Sequence, residues 1–436
     1  MRIRSRAFAQ AAVFTLALAA ASGAKATEGY FLGGYGATQT SLSGAGVANP
    51  TDAMSMTLNP AGLVDVDRQF QFGVSLFFPT RGYDATGTVF VAPGDHNSSI
   101  PLFLVPNVAY SQPIDATSAW GVAMYGNGGM NTYFRSVTNF GFVCLGANGV
   151  YCAGAAGVNL SQAFVEAAYA KSYGGFSFGI APVFAFQQFS AEGLGAFRTF
   201  SSDPSAMTNN GGNNTIGAGV HAGLEWKVTP AFRVGLSGAT PTWMQNNSKY
   251  KGLFANQGNF DIPGWVDAGV AWDAMPTLTL MLDYKGIFYR GVPAVADPTN
   301  VPLPFGATNG PGFGWGNVNV AALGAEWRAT PYLTLRAGVE INNNPVHGQD
   351  VTIGLLAPGV TTSQFSAGLS YRASPNSTID LAGYYAPKVS VSGPEVTPFG
   401  PTPFSNISAS LSEAQITIGW TYHFGAEEPP PVKARF

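Results

Sequence analysis

Beyond its first 26 residues the chain contains no uninterrupted apolar run near the ~20 residues with which a helix crosses hydrocarbon. Yet hydrophobic residues make up 46% of it and charged residues only 10%, where a soluble domain carries ~25% charged residues. So little charge calls for a covering other than water, and helices cannot be what spans it. Strands can. From Gln69 to Phe78 the residues Phe70, Phe72, Val74, Leu76 and Phe78 fall on one face, and Gln69, Gln71, Gly73 and Ser75 on the other, the period-two signature of a strand. A soluble sandwich alternates in the same way, so this segment alone does not choose between water and lipid.

A recurring phrase makes the choice. Trp226-Lys227-Val228-Thr229-Pro230, Trp272-Asp273-Ala274-Met275-Pro276, Trp327-Arg328-Ala329-Thr330-Pro331 and Tyr371-Arg372-Ala373-Ser374-Pro375 each set an aromatic before a short turn, after which a new alternating strand begins. Trp and Tyr prefer the headgroup level of a bilayer, so aromatics at one point of successive hairpins read as a girdle. Pro is placed just after the turn, where its missing N–H costs no central ladder bond. Between these turns lie long stretches rich in Gly, Pro, Asn and Ser, at 80–101, 127–159, 191–213, 247–261, 290–316, 344–363 and 387–412. Short turns at one end and long loops at the other are the outer-membrane pattern, the short end being periplasmic.

Strand candidates near 69, 102, 117, 160, 175, 214, 231, 262, 276, 318, 332, 364, 376 and 413 number about fourteen, an even count that returns both termini to the periplasm. Closure removes the unpaired edge that an open sheet would leave in lipid. The last strand runs through Ile416, Ile418, Trp420, Tyr422 and Phe424, and a Pro-rich tail, 425–436, reads as a periplasmic extension, with Phe436 as an alternative terminal aromatic. The fold expected is therefore an all-β transmembrane barrel spanning 68–424.

The ends and the cysteines agree with export. Arg2, Arg4 and Arg6 precede an uncharged apolar stretch from Ala7 to Ala21, and Ala24-Lys25-Ala26 supplies small residues for cleavage, so 1–26 reads as a signal peptide and Thr27 as the mature start. Cys144 and Cys152 flank Gly146-Ala147-Asn148-Gly149 and suit a small disulfide staple formed in an oxidising periplasm. Two thiols and four scattered histidines write no zinc cluster, and a net charge of −3 without a basic run gives no reason to expect nucleic acid. No cofactor or metal is expected.

Residues 27–67 do not alternate and are rich in small residues. Asn49 can cap a short helix over Thr51 to Leu58, with Pro50 in its first turn, stopped before Pro60. A compact insert of short helices inside the lumen is the natural place for them. Gly44-Ala45-Gly46-Val47-Ala48, then Asp52-Ala53, then Leu58-Asn59-Pro60-Ala61-Gly62-Leu63 resembles the N-terminal hatch of the long-chain fatty-acid transporter (FadL) family. Pro106-Asn107-Val108-Ala109-Tyr110 and Gly126-Asn127-Gly128-Gly129-Met130-Asn131-Thr132-Tyr133 are also similar.

The resemblance implies a monomeric barrel in the Gram-negative outer membrane, inserted by the barrel-assembly machinery among lipid and lipopolysaccharide. It implies passive movement of long-chain fatty acids or other hydrophobic compounds: capture by extracellular loops, a hatch-gated apolar pocket, and lateral exit at a kinked third strand. Carried over by residue, Asn59, Pro60 and Ala61 form the hatch signature, although Asn-Pro also simply ends helices. Asn127, Gly128 and Gly129 mark the kink or, equally, an ordinary strand end.

An acid headgroup would seek a cation near a strand top, for which Arg81, Arg198, Lys249, Lys251, Lys285 and Arg290 are candidates. Phe77, Phe103, Met124, Met130, Phe186 and Met244 can line a pocket, packing or lipid contact being their default role. A water-filled porin would lack the 27–67 insert, and a siderophore-type transporter needs a larger plug. An outer-membrane lipase needs a nucleophile motif that none of His96, His221, His347 and His423 joins, so no catalytic residue is expected.

Overall fold

A computed structural model describes residues 28–425. The expected signal peptide and cleavage site, and the tail after Gly425, lie outside the described residues. Fourteen long strands form one closed antiparallel sheet. They are β1 (Gln69–Thr86), β2 (Phe103–Asp115), β3 (Ser118–Phe134), β4 (Ala156–Tyr173), β5 (Phe176–Glu192), β6 (Asn213–Thr229), β7 (Phe232–Ala239), β8 (Trp265–Met275), β9 (Leu278–Ile287), β10 (Val318–Arg328), β11 (Leu333–Asn342), β12 (Ser363–Ser374), β13 (Ser377–Gly393) and β14 (Asn406–His423). Each pairs with its neighbour in sequence, and β14 closes on β1 along all 18 residues of β1, from Gln69↔His423 to Thr86↔Asn406. Among strands in lipid such closure is what leaves no unpaired edge.

The burial pattern is that of a soluble protein turned inside out. Along β1 the polar residues Gln69, Gln71 and Ser75 are buried, while Phe72 and Phe78 are exposed. Leu104 is 65% exposed, Phe184 54% and Leu282 53%, while Glu166, Asp267 and Glu340 on the inner face are 2% exposed or less. The ambiguity left by alternation is thereby resolved, since apolar side chains facing outward all round suit lipid and not water.

Short connections occupy 116–117, 174–175, 230–231, 276–277, 329–332 and 375–376, and long loops alternate with them at the other end. Trp226, Trp272, Trp327 and Tyr371 stand exposed beside the short turns, with Trp272 opposite Phe232 and Trp327 opposite Leu278. Pro230, Pro276 and Pro375 sit inside the turns and not after them. Their fixed φ suits the first corner of a two-residue connection, where no ladder N–H is needed. Three long loops are shorter than expected. The stretch 80–101 is loop only from 87 onward, 127–159 only over 135–155, and 387–412 only over 394–405, because these polar, Gly- and Ser-containing segments continue the ladder where a partner strand satisfies their backbone.

Residues 28–66 fill the lumen. They contain an α-helix, Gly36–Ser41, and two 3₁₀ turns, Ala53–Thr57 and Pro60–Asp65. The first 3₁₀ turn is capped by Asp52 and not by Asn49: Asp52 Oδ1 accepts from Ser55 N at 3.1 Å, and Ser55 Oγ accepts from Asp52 N at 3.2 Å, a reciprocal box that Asn49 is too far upstream to make. The second turn is capped by Asn59, whose Oδ1 accepts from Ala61 N at 3.0 Å with Pro60 at its first position.

This insert touches the wall through glycine. A Cβ added to Gly121, Gly179, Gly223, Gly235, Gly338 or Gly368, on six different strands, would come within 2.0 to 2.6 Å of Met56, Pro60, Asn59, Val47, Leu42 or Ser41 respectively. A belt of missing side chains lets insert and wall meet almost backbone to backbone. We predict that Gly179→Val or Gly338→Val lowers stability by about 1–3 kcal/mol through overpacking. Thermal unfolding and protease cleavage within 37–63 check this, with Gly291→Ala, which meets open space, as the silent control.

Candidate functional site

The wall is interrupted between β2 and β3. β2 pairs with β1 as far as Phe77↔Phe103, but its pairing with β3 stops at Asn107↔Tyr125. Beyond that point β3 runs on to Phe134 paired only with β4, with a register shift between Gly126 and Gly128 that marks a bulge. The seam is closed again higher up, where Ser99 N donates to Tyr133 O at 2.9 Å and Tyr133 N to Ser98 Oγ at 2.9 Å. Between these limits Phe103–Pro106 and Gly126–Thr132 frame a window. Asn127, Gly128 and Gly129 therefore lie within a continuing strand and not at its end.

Two backbone groups of β3 that face this gap are taken by the insert. Leu32 N donates to Asn127 O at 3.2 Å and Gly129 N to Tyr30 O at 3.0 Å, with Phe31 and Gly128 as bridge partners. A Cβ on Gly128 would sit 1.9 Å from Tyr30 O, so glycine is needed for the approach. Residues 28–32 reach across the lumen to the far wall. There Lys285 Nζ on β9 donates to Glu28 Oε2 at 2.8 Å and Oε1 at 3.1 Å. Tyr289 Oη accepts from Tyr30 N at 3.1 Å and donates to Glu28 O at 2.7 Å. Tyr35 Oη donates to Asn127 Oδ1 at 2.8 Å, and Asn127 Nδ2 to Gln162 Oε1 at 3.0 Å, tying the bulge to both the insert and β4. We call 28–32 the strap.

Above the strap lies a cavity of about 610 Å³ whose lining is mainly apolar, within the range of ~300–1,000 Å³ typical of small-molecule sites. Its walls include inward-facing Phe77, Arg81 and Leu411, but also Leu104, Met124 and Phe186, whose side chains are exposed on the outside of the barrel. One cavity thus reaches both faces of the wall through the window. Of the six apolar residues singled out from the sequence, Phe77, Phe103, Met124, Met130 and Phe186 line it, and Met244 packs elsewhere. Gly359, Ala357 and Pro358 of the 343–362 loop complete the lining.

The candidate cations separate cleanly. Arg81 lines the cavity, lies 5.6 Å above the Phe103 ring, and donates to Ser98 Oγ at 3.1 Å and to Ile100 O. Lys285 is buried under the strap. Arg198, Lys249, Lys251 and Arg290 are exposed in the long loops and touch no part of the cavity lining, because loop cations have no reason to turn inward. Asn59 lies far from the window: its Nδ2 donates to Val47 O at 2.8 Å and to Leu224 O of β6 at 3.0 Å, fastening the insert to itself and to the wall. Cys144 and Cys152 are joined in a disulfide.

Sequence reasoning missed the strap residues Glu28, Tyr30 and Phe31, and a polar relay. Ser237 Oγ lies 2.8 Å from His221 Nε2, and His221 Nδ1 lies 2.9 Å from Glu166 Oε1, which also binds Tyr125 Oη through its second oxygen. The spacing is that of a hydrolase triad. Ser237, however, is buried and outside the cavity lining, and its Oγ also donates to Ala222 O at 3.3 Å, so the relay braces β4, β6 and β7 against one another.

A family model described as "Outer membrane protein transport protein (OMPP1/FadL/TodX)" matches residues 305–406. The solved structure of the P. putida toluene transporter TodX covers 91% of this chain and 100% of its own at 15% identity, with a TM-score of 0.66. The fold is that of the FadL-type channels. A Pseudomonas aeruginosa FadL homologue agrees at 16% identity, 91% and 100% coverage and a TM-score of 0.67, and the Ralstonia pickettii toluene transporter TbuX at 16%, 90%, 99% and 0.59. No curated protein matches the chain in sequence. The stretch matched by the family model runs from the β9–β10 loop to the first residue of β14, away from Asn59-Pro60-Ala61, and over the rest of the barrel the likeness is one of fold.

The ion pair under the strap gives a direct test. Lys285→Met leaves Glu28 buried without its cation and should cost ~3–5 kcal/mol, as breaking one side of a buried pair does. Glu28→Gln combined with Lys285→Met should recover most of that loss, as read by thermal unfolding of the single and double variants.

Proposed function

We propose that the protein is a passive outer-membrane channel of Gram-negative bacteria for hydrophobic small molecules. In this reading 27–67 is the hatch, substrate enters from the long-loop end, rests in the cavity above the strap, and leaves sideways into lipid between β2 and β3. The carrying observation is that one apolar cavity is lined by residues of both the lumen face and the lipid face, with the strap across its floor. An apolar molecule gains by moving from loop to cavity to hydrocarbon without full exposure to water, so no energy source is required. A water-filled porin fits poorly, because the insert sits inside the barrel and packs against wall glycines on six strands.

The named substrates of the neighbouring structures are monoaromatic hydrocarbons such as toluene, and the cavity is large enough for these or for an alkyl chain. An acid is the second reading, favoured by one observation: Arg81 Nε is buried in the cavity wall without a hydrogen-bond partner, and such a donor invites an acceptor on the ligand.

Deleting the gene should slow uptake of a radiolabelled hydrophobic substrate, and the intact gene should restore it; unchanged uptake in the deletion strain would sink the proposal. A Cβ at Gly126 would meet Val105 Cγ1 at 2.5 Å, so Gly126→Phe fills the window and should reduce uptake of acids and hydrocarbons alike. Arg81→Leu should reduce uptake of a long-chain carboxylate while leaving a hydrocarbon unaffected if the acid reading holds.

A further inference from the structure

The long-loop end carries an apolar tip that the channel reading does not use. Within six residues of the 135–155 loop, Phe140, Phe142, Val143 and Leu145 are 59–82% exposed, and Phe399 and Phe404 of the 394–405 loop are 95% exposed or more. Exposed apolar patches mark interaction sites. Here the backbone that carries them is held in place. Cys144 and Cys152 are bridged, Thr138 and Asn139 pair with Asn148 and Ala147, and Asn139 Nδ2 donates to Phe90 O at 2.8 Å and Val150 O at 2.9 Å. Val143 N donates to Val89 O at 3.0 Å. The same 89–91 segment is gripped from the other side by the Glu395 carboxylate, which accepts from Val89, Phe90 and Val91 N at 2.9, 2.9 and 2.6 Å.

Both loops are therefore stitched to one segment, and their aromatic residues are presented with little left to order. No charged residue occurs between Arg135 and Glu166 or between Glu395 and Glu413, so nothing near the tips selects a charged partner. The tip residues are large, apolar and mostly exposed, which suits a fluid able to close around each side chain. They also connect to the cavity below: Tyr151 Oη donates to Thr352 O at 2.7 Å, in the loop whose Ala357, Pro358 and Gly359 line it.

We propose that this crown inserts into the surface of a condensed apolar phase, such as a droplet of hydrophobic compound, and holds the channel mouth against it. The test uses the full chain in nanodiscs mixed with hexadecane-in-water droplets, bound protein being read by flotation. Wild type should float with the droplets equally at low and high salt. A variant carrying F140S, F142S, V143S and L145S, all exposed and checked for folding by its thermal transition, should bind at least about tenfold more weakly, since binding follows the apolar area buried. The proposal is overturned if wild type floats no more than empty nanodiscs, if the fourfold variant floats equally well, or if the wild-type discs pair crown to crown and droplets do not compete. No uptake is measured, so failure here leaves the channel reading untouched, and failure of that reading leaves this one standing.

Discussion

Every backbone amide and carbonyl of a chain in lipid needs a partner from the protein itself, and where β3 parts from β2 the neighbouring strand no longer supplies it. There the partner is Tyr30-Phe31-Leu32. The remaining architecture follows from that substitution. A seam closed by a segment that does not belong to the wall can open without unzipping the wall, because β3 keeps its ladder to β4 throughout.

What stays fixed is as informative as what can move. Asn59, the Asp52 cap and the glycine belt bind residues 37–63 to many strands at once, and moving them together would break those contacts together. The strap is held by the Glu28–Lys285 pair, the Tyr289 hydroxyl, the short bridge at Gly128 and ring contacts of Tyr30 and Phe31 with Phe260, Tyr289 and Trp315. Glu28–Lys285 is buried, and a pair of that kind fixes position more than it adds stability. Rearrangement confined to 28–32 leaves the glycine belt, the Asn59 contacts and the ladder from β3 to β4 in place, and those residues form the floor of the cavity that crosses the wall.

The barrel was legible because its signal is local: alternation, the aromatic-turn-Pro phrase and loop composition repeat along the chain, and strand count and closure follow. Part of the site was legible by parity. Lys285 is out of phase with outward-facing Leu280 and Leu282 and so had to face inward, while Arg198, Lys249 and Arg290 sit in loops that have no parity to read; Arg81, expected in the 80–101 stretch, proves to lie on β1 with the odd parity of Gln69 and Gln71. The window was not legible, since it depends on where pairing between β2 and β3 stops, a register that neither strand encodes alone. The glycine belt likewise shows in sequence only as scattered strand glycines, their common purpose becoming visible when the insert is seated against them. Asn49 was the expected cap, and Asp52 takes its place because Ser55 stands three residues beyond it to complete the reciprocal box.

The most direct measurement is hydrogen exchange of the full-length protein in nanodiscs, followed by mass spectrometry with and without a saturating hydrophobic ligand. Amides in 30–32 and at Gly129 should be protected without ligand and exchange faster with it, while 53–63 stays protected in both. Unchanged protection of the strap on ligand binding, or exposure of 53–63 along with it, would contradict the account.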